Sequence, residues 1–252
     1  MERIAIVTGA SGGLGEVFVD RINAMPNIDK IWAVGRNPEK LGSLCSRFSK
    51  AVPLVADLDS NGVDLITEKL KSESPDVRLL VNNAGIAYLG RFEDMESSKV
   101  ASICNVNCTA PSVLMASVLP YMNKGARILN ISSASSFQPN PFLSMYSASK
   151  VYLKNLSRAV NYELKPRGIT VTAVCPYWVD TGMLPREKNG KRINYAGITS
   201  PEVVADKALR DSARGKDMSV PSFLAKYLRI YSKYSPSSIV MRQWSAMIRK
   251  YL

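Results

Sequence analysis

The chain has 252 residues, of which 46% are hydrophobic and 21% charged, so it holds enough apolar side chains for a sizeable core. This composition excludes an intrinsically disordered chain, and four cysteines are too few to staple a scaffold of this length. The sequence contains no histidine, which excludes mechanisms that need an imidazole base or a His-ligated metal. We therefore expect no metal site.

The net charge is +12, and an excess of this size makes a nucleic acid or an anionic surface a candidate partner. Six basic residues and no acidic ones lie between Val220 and Leu252, and no DNA-recognition motif is present, so we expect no nucleic-acid partner. Met1-Glu2-Arg3 leads directly into the short apolar run Ile4–Val7, which is too short for a signal peptide. These features predict a cytoplasmic protein.

Short apolar runs alternate along the chain with longer stretches of helical periodicity. We predict strands at Ile4–Val7, Ile31–Val34, Val52–Val55, Leu79–Val81, Arg127–Ile131, Thr170–Val174 and Met218–Val220. We predict helices at Gly13–Ala24, Pro38–Phe48, Gly62–Ser72, Phe92–Met122, Ser144–Leu164 and Pro201–Arg214. The alternation indicates an α/β fold, a doubly wound parallel sheet flanked by helices, because continuously apolar strands need cover on both faces. We expect one domain over residues 1–252, with a less regular insertion at Leu184–Thr199 and a helical tail over residues 221–252.

A glycine-rich turn, Thr8-Gly9-Ala10-Ser11-Gly12-Gly13-Leu14-Gly15, joins the first predicted strand to the first helix. Glycines permit a tight turn and a close approach of the backbone to a pyrophosphate at the helix N-terminus. A purely structural turn is the alternative, which the position between strand and helix disfavours. The turn therefore predicts a dinucleotide site.

The end of the second predicted strand carries a signal for the choice of dinucleotide. An NAD site places an acid about 20 residues after the glycines, whereas here Gly35 is followed by Arg36. A guanidinium can bind a 2′-phosphate through two hydrogen bonds, although an exposed arginine at a helix entrance is the plain alternative. We favour NADP(H) over NAD(H).

Polar residues follow the fourth and fifth predicted strands, at the edge of a parallel sheet where ligands bind. These are Asn82–Gly85 and Ser132-Ser133, and a helix beyond them places Tyr146 and Lys150 on one face. An ammonium group beside a phenol lowers its pKa from about 10, and a serine hydroxyl can bind a developing alkoxide. Each residue alone could be structural, as a strand cap, a helix-start aromatic or a solvated lysine.

Taken together, these motifs resemble those of the short-chain dehydrogenase/reductase family over roughly residues 3–220. The glycine turn resembles the family pattern TGxxxGxG, Asn82–Gly85 resembles NNAG, and Tyr146 with Lys150 resembles YxxxK. The resemblance implies a Rossmann-like fold and a catalytic tetrad of Asn107, Ser133, Tyr146 and Lys150. With Arg36 it implies this set of cofactor contacts: Gly9, Ser11, Gly12, Gly13, Leu14, Gly15, Arg36, Asp57, Leu58, Asn83, Ala84, Gly85, Tyr146, Lys150, Pro176, Val179 and Thr181.

The family pattern also implies individual roles. Asp57 matches the acid that holds adenine, Thr181 the contact to the nicotinamide carboxamide, and Asn107 the residue that orders a water beside the lysine. Two positions depart from the pattern. Gly12 stands where some NADP-binding relatives carry a second basic residue, and Tyr177 replaces a glycine after the sixth strand.

The resemblance implies an NADP(H)-dependent oxidoreductase that transfers hydride between nicotinamide and a ketone or secondary alcohol, for which we predict a bulky, apolar, steroid-like substrate. The alternatives are a reductase of an acyl-carrier-type 3-oxoacyl substrate and a non-catalytic protein that binds the cofactor or a membrane surface. Candidate pocket residues are Leu89, Phe137, Phe142, Leu143, Tyr177, Trp178 and Met183, near a basic cluster of Arg186, Lys188, Lys191 and Arg192. The family also implies a homodimer or homotetramer formed through the helices at Phe92–Met122 and Ser144–Leu164.

Two apolar stripes at helical spacing follow in the tail. They comprise Leu224, Tyr227, Leu228, Tyr231 and Tyr234, and then, after Pro236, Val240, Trp244, Met247, Ile248 and Tyr251. We expect the stripes to pack on the domain or across a subunit interface. A lid over the substrate pocket and peripheral contact with an anionic membrane are the alternatives.

Overall fold

The computed structural model describes residues 1–184, 187–188 and 191–249. Its strands are β1 Arg3–Thr8, β2 Lys30–Gly35, β3 Ala51–Val55, β4 Asp76–Asn82, β5 Arg127–Ile131, β6 Thr170–Val174, β7 Glu187–Lys188, β8 Lys191–Arg192 and β9 Met218–Ser219. Its helices are α1 Leu14–Asn23, α2 Pro38–Arg47, α3 Gly62–Glu73, α4 Ser97–Cys104, α5 Ala110–Val118, α6 Ser144–Leu164, α7 Pro201–Ala213, α8 Phe223–Tyr234 and α9 Ser237–Ile248.

Seven strands form one parallel sheet in the order β3-β2-β1-β4-β5-β6-β9, and β7 pairs with β8 in a separate antiparallel hairpin. The strands are almost wholly buried because helices cover both faces of the sheet. One core cluster packs the sheet against α1, α2 and α7, and the other packs it against α3, α5 and α6. The predicted Rossmann-like architecture is confirmed.

The strand order reverses beside β1, whose neighbours are β2 and β4. The chain therefore leaves β1 and β4 at the same edge, and their loops diverge to opposite faces of the sheet. Such a switch point is where open parallel sheets bind dinucleotides. The glycine turn follows β1 and Asn83–Gly85 follow β4, so the topology brings the two predicted motifs together.

The single helix predicted at Phe92–Met122 is wrong in its detail. Phe92–Asp94 form a 3₁₀ turn, the chain is extended at Met95 and Glu96, and α4 begins only at Ser97. A π-helical turn at Asn105–Thr109 then separates α4 from α5. The turn coincides with hydrogen bonds from the Asn107 side chain to a distant backbone segment, which a regular helix at this point would not accommodate.

Within the described part of the chain, one helical stretch, Ser97–Tyr121, is long and apolar enough to cross a membrane by length and composition alone. Here it packs as a helix of the protein interior, with Leu114, Met115 and Val118 in the core cluster beside α3 and α6. Length and apolar composition are equally expected of such a core helix. They are weak evidence for a membrane span.

The tail forms two helices, α8 and α9, with the predicted break at Pro236. The two pack differently. Val240, Trp244 and Ile248 of α9 are buried as the second stripe predicts, whereas Tyr227 and Tyr234 of the first stripe are exposed. Within this chain the first stripe is only partly covered, so its packing across a subunit interface stays a prediction, and Tyr251 of the second stripe lies outside the described residues.

Candidate active site

The glycine turn and the loop after β4 are tied together by Thr8, the last residue of β1. Its buried hydroxyl accepts hydrogen bonds from the backbone N–H groups of Asn83 and Ala84, at 3.0 and 3.1 Å. In return, the Asn83 side-chain amide donates to the carbonyls of Thr8 and Gly9, both at 3.1 Å. These bonds fix the two motifs in one rigid unit at the switch point.

Close packing explains why glycines are required in this turn. A Cβ atom on Gly15 would lie 2.0 Å from the Gly9 carbonyl oxygen, which no side chain could tolerate. Gly13 has φ 53° and precedes α1 with no side-chain hydrogen bond to cap the helix. The Gly15 N–H donates to the Gly12 carbonyl at 3.2 Å, and no side chain caps the helix start, so this end of α1 can still present N–H groups to an anion such as a pyrophosphate.

The end of β2 lies beside the same turn. Gly35 lies close to Ser11 of the turn, since a Cβ atom at Gly35 would be 3.3 Å from the Ser11 hydroxyl oxygen. The next residue, Arg36, has an exposed side chain. Within the described residues, Arg36 makes no hydrogen bond or ion pair. Its guanidinium is free to bind an anionic group next to Ser11.

The predicted adenine contacts follow β3. The Asp57 carboxylate accepts a hydrogen bond from the Asp59 backbone N–H at 3.1 Å, while the Leu58 side chain is buried in the core. Leu58 therefore offers a ligand its backbone rather than its side chain. Asp59 was not among the predicted site residues. Its carboxylate accepts hydrogen bonds from the Ser102 hydroxyl and the Asn105 side-chain amide, which connects this loop to the helical stretch that carries Asn107.

The Ser133 hydroxyl interacts with the Tyr146 phenol and lowers its pKa, although the two residues come from different elements. Ser133 follows β5 and caps a 3₁₀ turn by accepting from the Ser135 N–H at 3.1 Å, and Tyr146 lies in the first turn of α6. Burial raises the pKa of the Tyr146 phenol, and the interaction with Ser133 acts in the opposite direction. The net pKa is therefore raised, whereas the sequence predicted that the Lys150 ammonium group would lower it.

Lys150 lies one helical turn after Tyr146, with its Nζ 5.5 Å from the centre of the tyrosine ring. The side chain is buried, and its ammonium group donates to the Ile131 carbonyl at 2.8 Å. Burial lowers the pKa of Lys150 to about 8. Most of the population is still protonated at pH 7, so a cation remains beside the phenol.

Asn107 completes the predicted tetrad from the π-helical turn. Its side-chain oxygen accepts from the Ile86 N–H at 2.9 Å, and its nitrogen donates to the Ile86 carbonyl at 2.9 Å and the Ser149 hydroxyl at 3.0 Å. A Cβ atom at Gly85 would lie 3.2 Å from Lys150 Nζ and 3.4 Å from Asn107 Oδ1. All four predicted tetrad residues are therefore brought to one place.

The loop after β6 lies over the glycine turn. A Cβ atom at Gly13 would be 3.0 Å from the Thr181 side chain, so the predicted nicotinamide contact stands directly above the start of α1. The Pro176 carbonyl accepts from the Ala134 N–H at 2.7 Å, and Val179 bridges to Thr199. These bonds hold the loop between the tetrad and the cofactor side.

An aromatic wall stands beside Tyr146, and its main contributor was not predicted to line the pocket. Trp244 of α9 stacks on Trp178 at 6.3 Å between ring centres, and its indole N–H donates to the Pro141 carbonyl at 2.8 Å. Phe142 joins the same cluster with φ 66°, a conformation that bulky residues rarely adopt. Trp244 and Trp178 thus shape an apolar surface next to the phenol.

The remaining predicted pocket residues are scattered. Leu143 belongs to the aromatic wall, and Phe137 and Tyr177 pack against Ala225 of α8 in a neighbouring cluster. Leu89 and Met183 are exposed. Of the basic cluster, Arg186 lies outside the described residues, and Lys188, Lys191 and Arg192 belong to the hairpin of β7 and β8.

No group of three or more Cys, Asp or Glu side chains able to hold a metal occurs in residues 1–184, 187–188 and 191–249. The chemistry of the site must therefore be sought in the groups that are present. These are a phenol, a hydroxyl, an ammonium group and an amide, next to a turn built for an anion. This set suits proton transfer to an oxygen held at the phenol.

The profile of the short chain dehydrogenase family matches residues 3–192, and the chain belongs to this family. It is 35% identical over 219 residues to the human protein named inactive hydroxysteroid dehydrogenase-like protein 1, covering 82% of this chain. The chain spans only 64% of the length of that curated relative.

Solved structures of the same fold include one that holds a nicotinamide cofactor. A short-chain dehydrogenase from Sphingobium yanoikuyae in complex with NADPH has a TM-score of 0.79 at 26% identity, covering 92% of this chain and 93% of its own. The bulky-bulky ketone specific alcohol dehydrogenase from Comamonas testosteroni has a TM-score of 0.76 at 25% identity, covering 91% and 90%.

Proposed function

We propose that this chain is an NADP(H)-dependent oxidoreductase that interconverts a bulky, apolar ketone and its secondary alcohol. The observation that carries the proposal is the position of Tyr146, whose ring centre lies 5.5 Å from Lys150 Nζ, with Ser133 close enough to shift its pKa and the aromatic wall beside it. A carbonyl oxygen placed at Ser133 and Tyr146 would accept hydrogen bonds from both hydroxyl groups. The wall of Trp178 and Trp244 would receive the apolar body of the substrate.

In the direction of reduction, Ser133 and Tyr146 hold the carbonyl oxygen and polarise the C=O bond. A nicotinamide dinucleotide held by the glycine turn, Arg36 and Thr181 would supply the hydride for the carbonyl carbon. Tyr146 then gives its phenolic proton to the alkoxide oxygen, which leaves an alcohol and a phenolate. In the direction of oxidation the phenolate takes the hydroxyl proton back.

The pKa values explain why a tyrosine needs a neighbour here. Burial raises the pKa of the Tyr146 phenol, which opposes formation of the phenolate near neutral pH. The ammonium group of Lys150, whose pKa is about 8, carries a charge at pH 7 that stabilises the phenolate. Asn107 holds the backbone at Ile86, next to Gly85, where a Cβ atom would lie 3.2 Å from Lys150 Nζ.

The cofactor fits the residues that are present. The uncapped start of α1 and the close approach of Gly15 to Gly9 make room and donors for a pyrophosphate. Arg36 has no partner in the described part of the chain and stands where a 2′-phosphate would lie. The NADPH in the Sphingobium yanoikuyae structure and the NADP or NADPH in other matched structures support the same cofactor.

The substrate class rests on the shape of the site. Trp178, Trp244 and Phe142 offer an extended apolar surface, and the Comamonas testosteroni relative is named for bulky-bulky ketones. A steroid-like ketone is the substrate we favour. The human relative is named inactive, but this chain keeps Asn107, Ser133, Tyr146 and Lys150 in one place, which favours turnover over cofactor binding alone.

The test is an NADPH-oxidation screen with ketones of graded size, including a steroid ketone, and with a 3-oxoacyl thioester. We expect turnover that rises with the size of the ketone. Tyr146→Phe removes the proton donor and keeps the ring, so it should lose about 100-fold or more in turnover while cofactor binding is retained. The matched control is Tyr152→Phe on the same helix, whose ring is 45% exposed, and it should remain active.

Other outcomes would contradict the proposal. Cofactor binding without turnover of any ketone or alcohol would indicate a non-catalytic protein. A clear preference for the thioester would favour the 3-oxoacyl reductase. If Tyr146→Phe kept more than a tenth of the wild-type activity, another group would have to be the proton donor.

A further inference from the structure

Helix α8 presents an apolar face that the rest of the described chain leaves uncovered. Its N-terminus is capped by Ser222, and its inner side packs through Ala225 against the turn that follows Ser133. We call the opposite side the outer face of α8. It consists of Phe223, Tyr227, Ile230 and Tyr234, which are 81%, 53%, 62% and 76% exposed.

The spacing of the outer face is that of one helix surface, since its members follow each other at intervals of 4, 3 and 4 residues. Single exposed apolar residues are ordinary, but four large ones in a continuous row mark a surface with a partner. The stripe predicted from the sequence combined residues of two sides: Leu224 and Leu228 are partly buried, whereas Tyr227 and Tyr234 belong to the outer face. Phe223 and Ile230 were therefore missed.

Charge determines which partner this face fits. Lys226, Arg229 and Lys233 are exposed along one flank of α8, and Lys233 Nζ lies 5.3 Å from the ring centre of Tyr234. The sequence from Val220 to Leu252 contains six basic residues and no acidic residue. An apolar row with aromatic rings and a basic border is the pattern of a helix that lies in the interface of an anionic bilayer.

A second copy of the chain fits this surface less well. Two copies that met face to face through α8 would bring their basic flanks together, with no acidic residue in either tail to compensate. Tyr227 and Tyr234 combine an apolar ring with a polar hydroxyl group, as side chains at a membrane interface do, and Phe223 adds apolar area. We propose that the outer face of α8 docks the protein on an anionic phospholipid bilayer.

The helix that carries the outer face lies beside the candidate active site. Helix α8 packs against the Ala134–Phe137 turn, and Leu224 lies so close to the segment between β8 and α7 that a Cβ atom at Gly197 would meet it at 2.0 Å. The docking itself does not depend on catalysis. It can therefore be tested on protein without substrate.

The experiment is co-sedimentation of the full chain with phosphatidylcholine vesicles, with and without phosphatidylglycerol, at low and high salt. We expect binding only to the anionic vesicles, weakened by salt. Phe223→Ser with Ile230→Ser should weaken binding roughly tenfold or more, as should Lys226→Glu with Lys233→Glu. The matched controls are Tyr162→Ser, an exposed aromatic on α6, and Lys71→Glu with Lys99→Glu, and both should bind as the wild type does.

Three results would overturn the proposal. The first is no binding to anionic vesicles at low salt, a result that needs no variant. The second is binding by both the outer-face and the charge-reversal variants at wild-type strength. The third is lipid-free self-association that the outer-face variants abolish, because it would assign this surface to a second copy of the chain.

Discussion

Lys150 meets two opposing demands. Its ammonium group must be charged to stabilise a phenolate, yet it is buried and held only by the carbonyl of Ile131 among the neutral groups around it. Burial lowers its pKa to about 8, so the charge that catalysis needs at neutral pH is maintained at a cost in folding free energy. This cost predicts how stability should depend on pH.

The sign follows from the two states of Lys150. Its pKa is about 8 in the folded chain and about 10.5 in the unfolded chain, so the unfolded state binds more protons between these values. The free energy of unfolding should therefore rise with pH through this window. Urea unfolding without cofactor measures this effect. The free energy of unfolding of the wild type minus that of Lys150→Met should rise by about 2 kcal/mol from pH 7 to 9.5.

The control for this measurement is Lys71→Met, at an exposed position of α3, whose pH profile should run parallel to that of the wild type. A Lys150→Met profile that also ran parallel would contradict the lowered pKa. If the free energy of unfolding of the wild type minus that of Lys150→Met fell with pH, the pKa of Lys150 would be raised rather than lowered in the folded state.

Arg36 determines the expected preference between the two dinucleotides. Arg36→Asp removes a partner for a 2′-phosphate and adds a carboxylate that binds a free 2′-hydroxyl and repels a phosphate. Charge-assisted hydrogen bonds contribute about 1.5–3 kcal/mol, so kcat/KM should shift towards NADH by roughly tenfold or more. Side-by-side kinetics with both cofactors measure it, and a wild type that already prefers NADH would refute the role of Arg36.

The residues that were predictable are those whose positions follow from motif and strand ends. Ser133, Tyr146 and Lys150 come together because β5 ends and α6 begins at the same edge of the sheet. Thr8 and Trp244 could not be predicted in their roles. Each acts through a bond to a segment 75 or more residues away in the chain, and no local pattern signals such a partner.

At the scale of elements, the boundaries of β5, β6 and α6 agree with the prediction because apolar runs and helical periodicity define them directly. The break between α4 and α5 had no such signal. It coincides with the bonds of Asn107 to Ile86, a contact between segments that a single periodic stretch does not reveal.

Strand β9 has two residues and pairs with β6 at only two positions, so side chains must hold it in place. The buried carboxylate of Asp211 in α7 accepts hydrogen bonds from Lys207 at 2.8 Å, Lys216 at 2.7 Å and Ser219 at 2.8 Å. Burial alone would raise the pKa of Asp211, but these bonds outweigh it and hold the pKa at about 2. The cluster joins α7 to the seventh strand.

A carboxylate with a lowered pKa stabilises the fold above its unfolded value and loses this effect as pH falls towards the folded value. Asp211→Asn should therefore cost about 2 kcal/mol at pH 7, and the difference from wild type should shrink between pH 4 and 2. Urea unfolding at several pH values measures this. The control is Asp217→Asn, which removes an exposed ion pair with Arg158 and should cost about 1 kcal/mol or less.

At the scale of the molecule, the sheet and its two core clusters are complete without the tail, and the two tail helices serve different surfaces. Helix α9 covers the aromatic wall, whereas the outer face of α8 points away from the protein. The sequence predicted both helices but not which would be covered, because helical spacing does not say which side of a helix meets the domain. Assembly into a homodimer or homotetramer stays a prediction.

The division between α8 and α9 predicts the result of ending the chain at Ser235. The buried residues of α9 contact Phe142, Leu143, Tyr146 and Trp178 in a cluster separate from the two sheet cores. The shortened protein should therefore fold, with a cooperative but lower Tm, and lose the wall that receives a large substrate. KM should rise more for bulky ketones than for small ones.

Trp244→Phe is the matched control for this truncation. It keeps an aromatic ring in the wall and removes the hydrogen bond to the Pro141 carbonyl and part of the indole's area, so it should change KM much less than the truncation does. An unfolded truncated protein would show that α9 belongs to the folding core. A folded one with unchanged KM for every ketone would show that the substrate does not reach the wall, and the assignment of Trp244 to the pocket would be wrong.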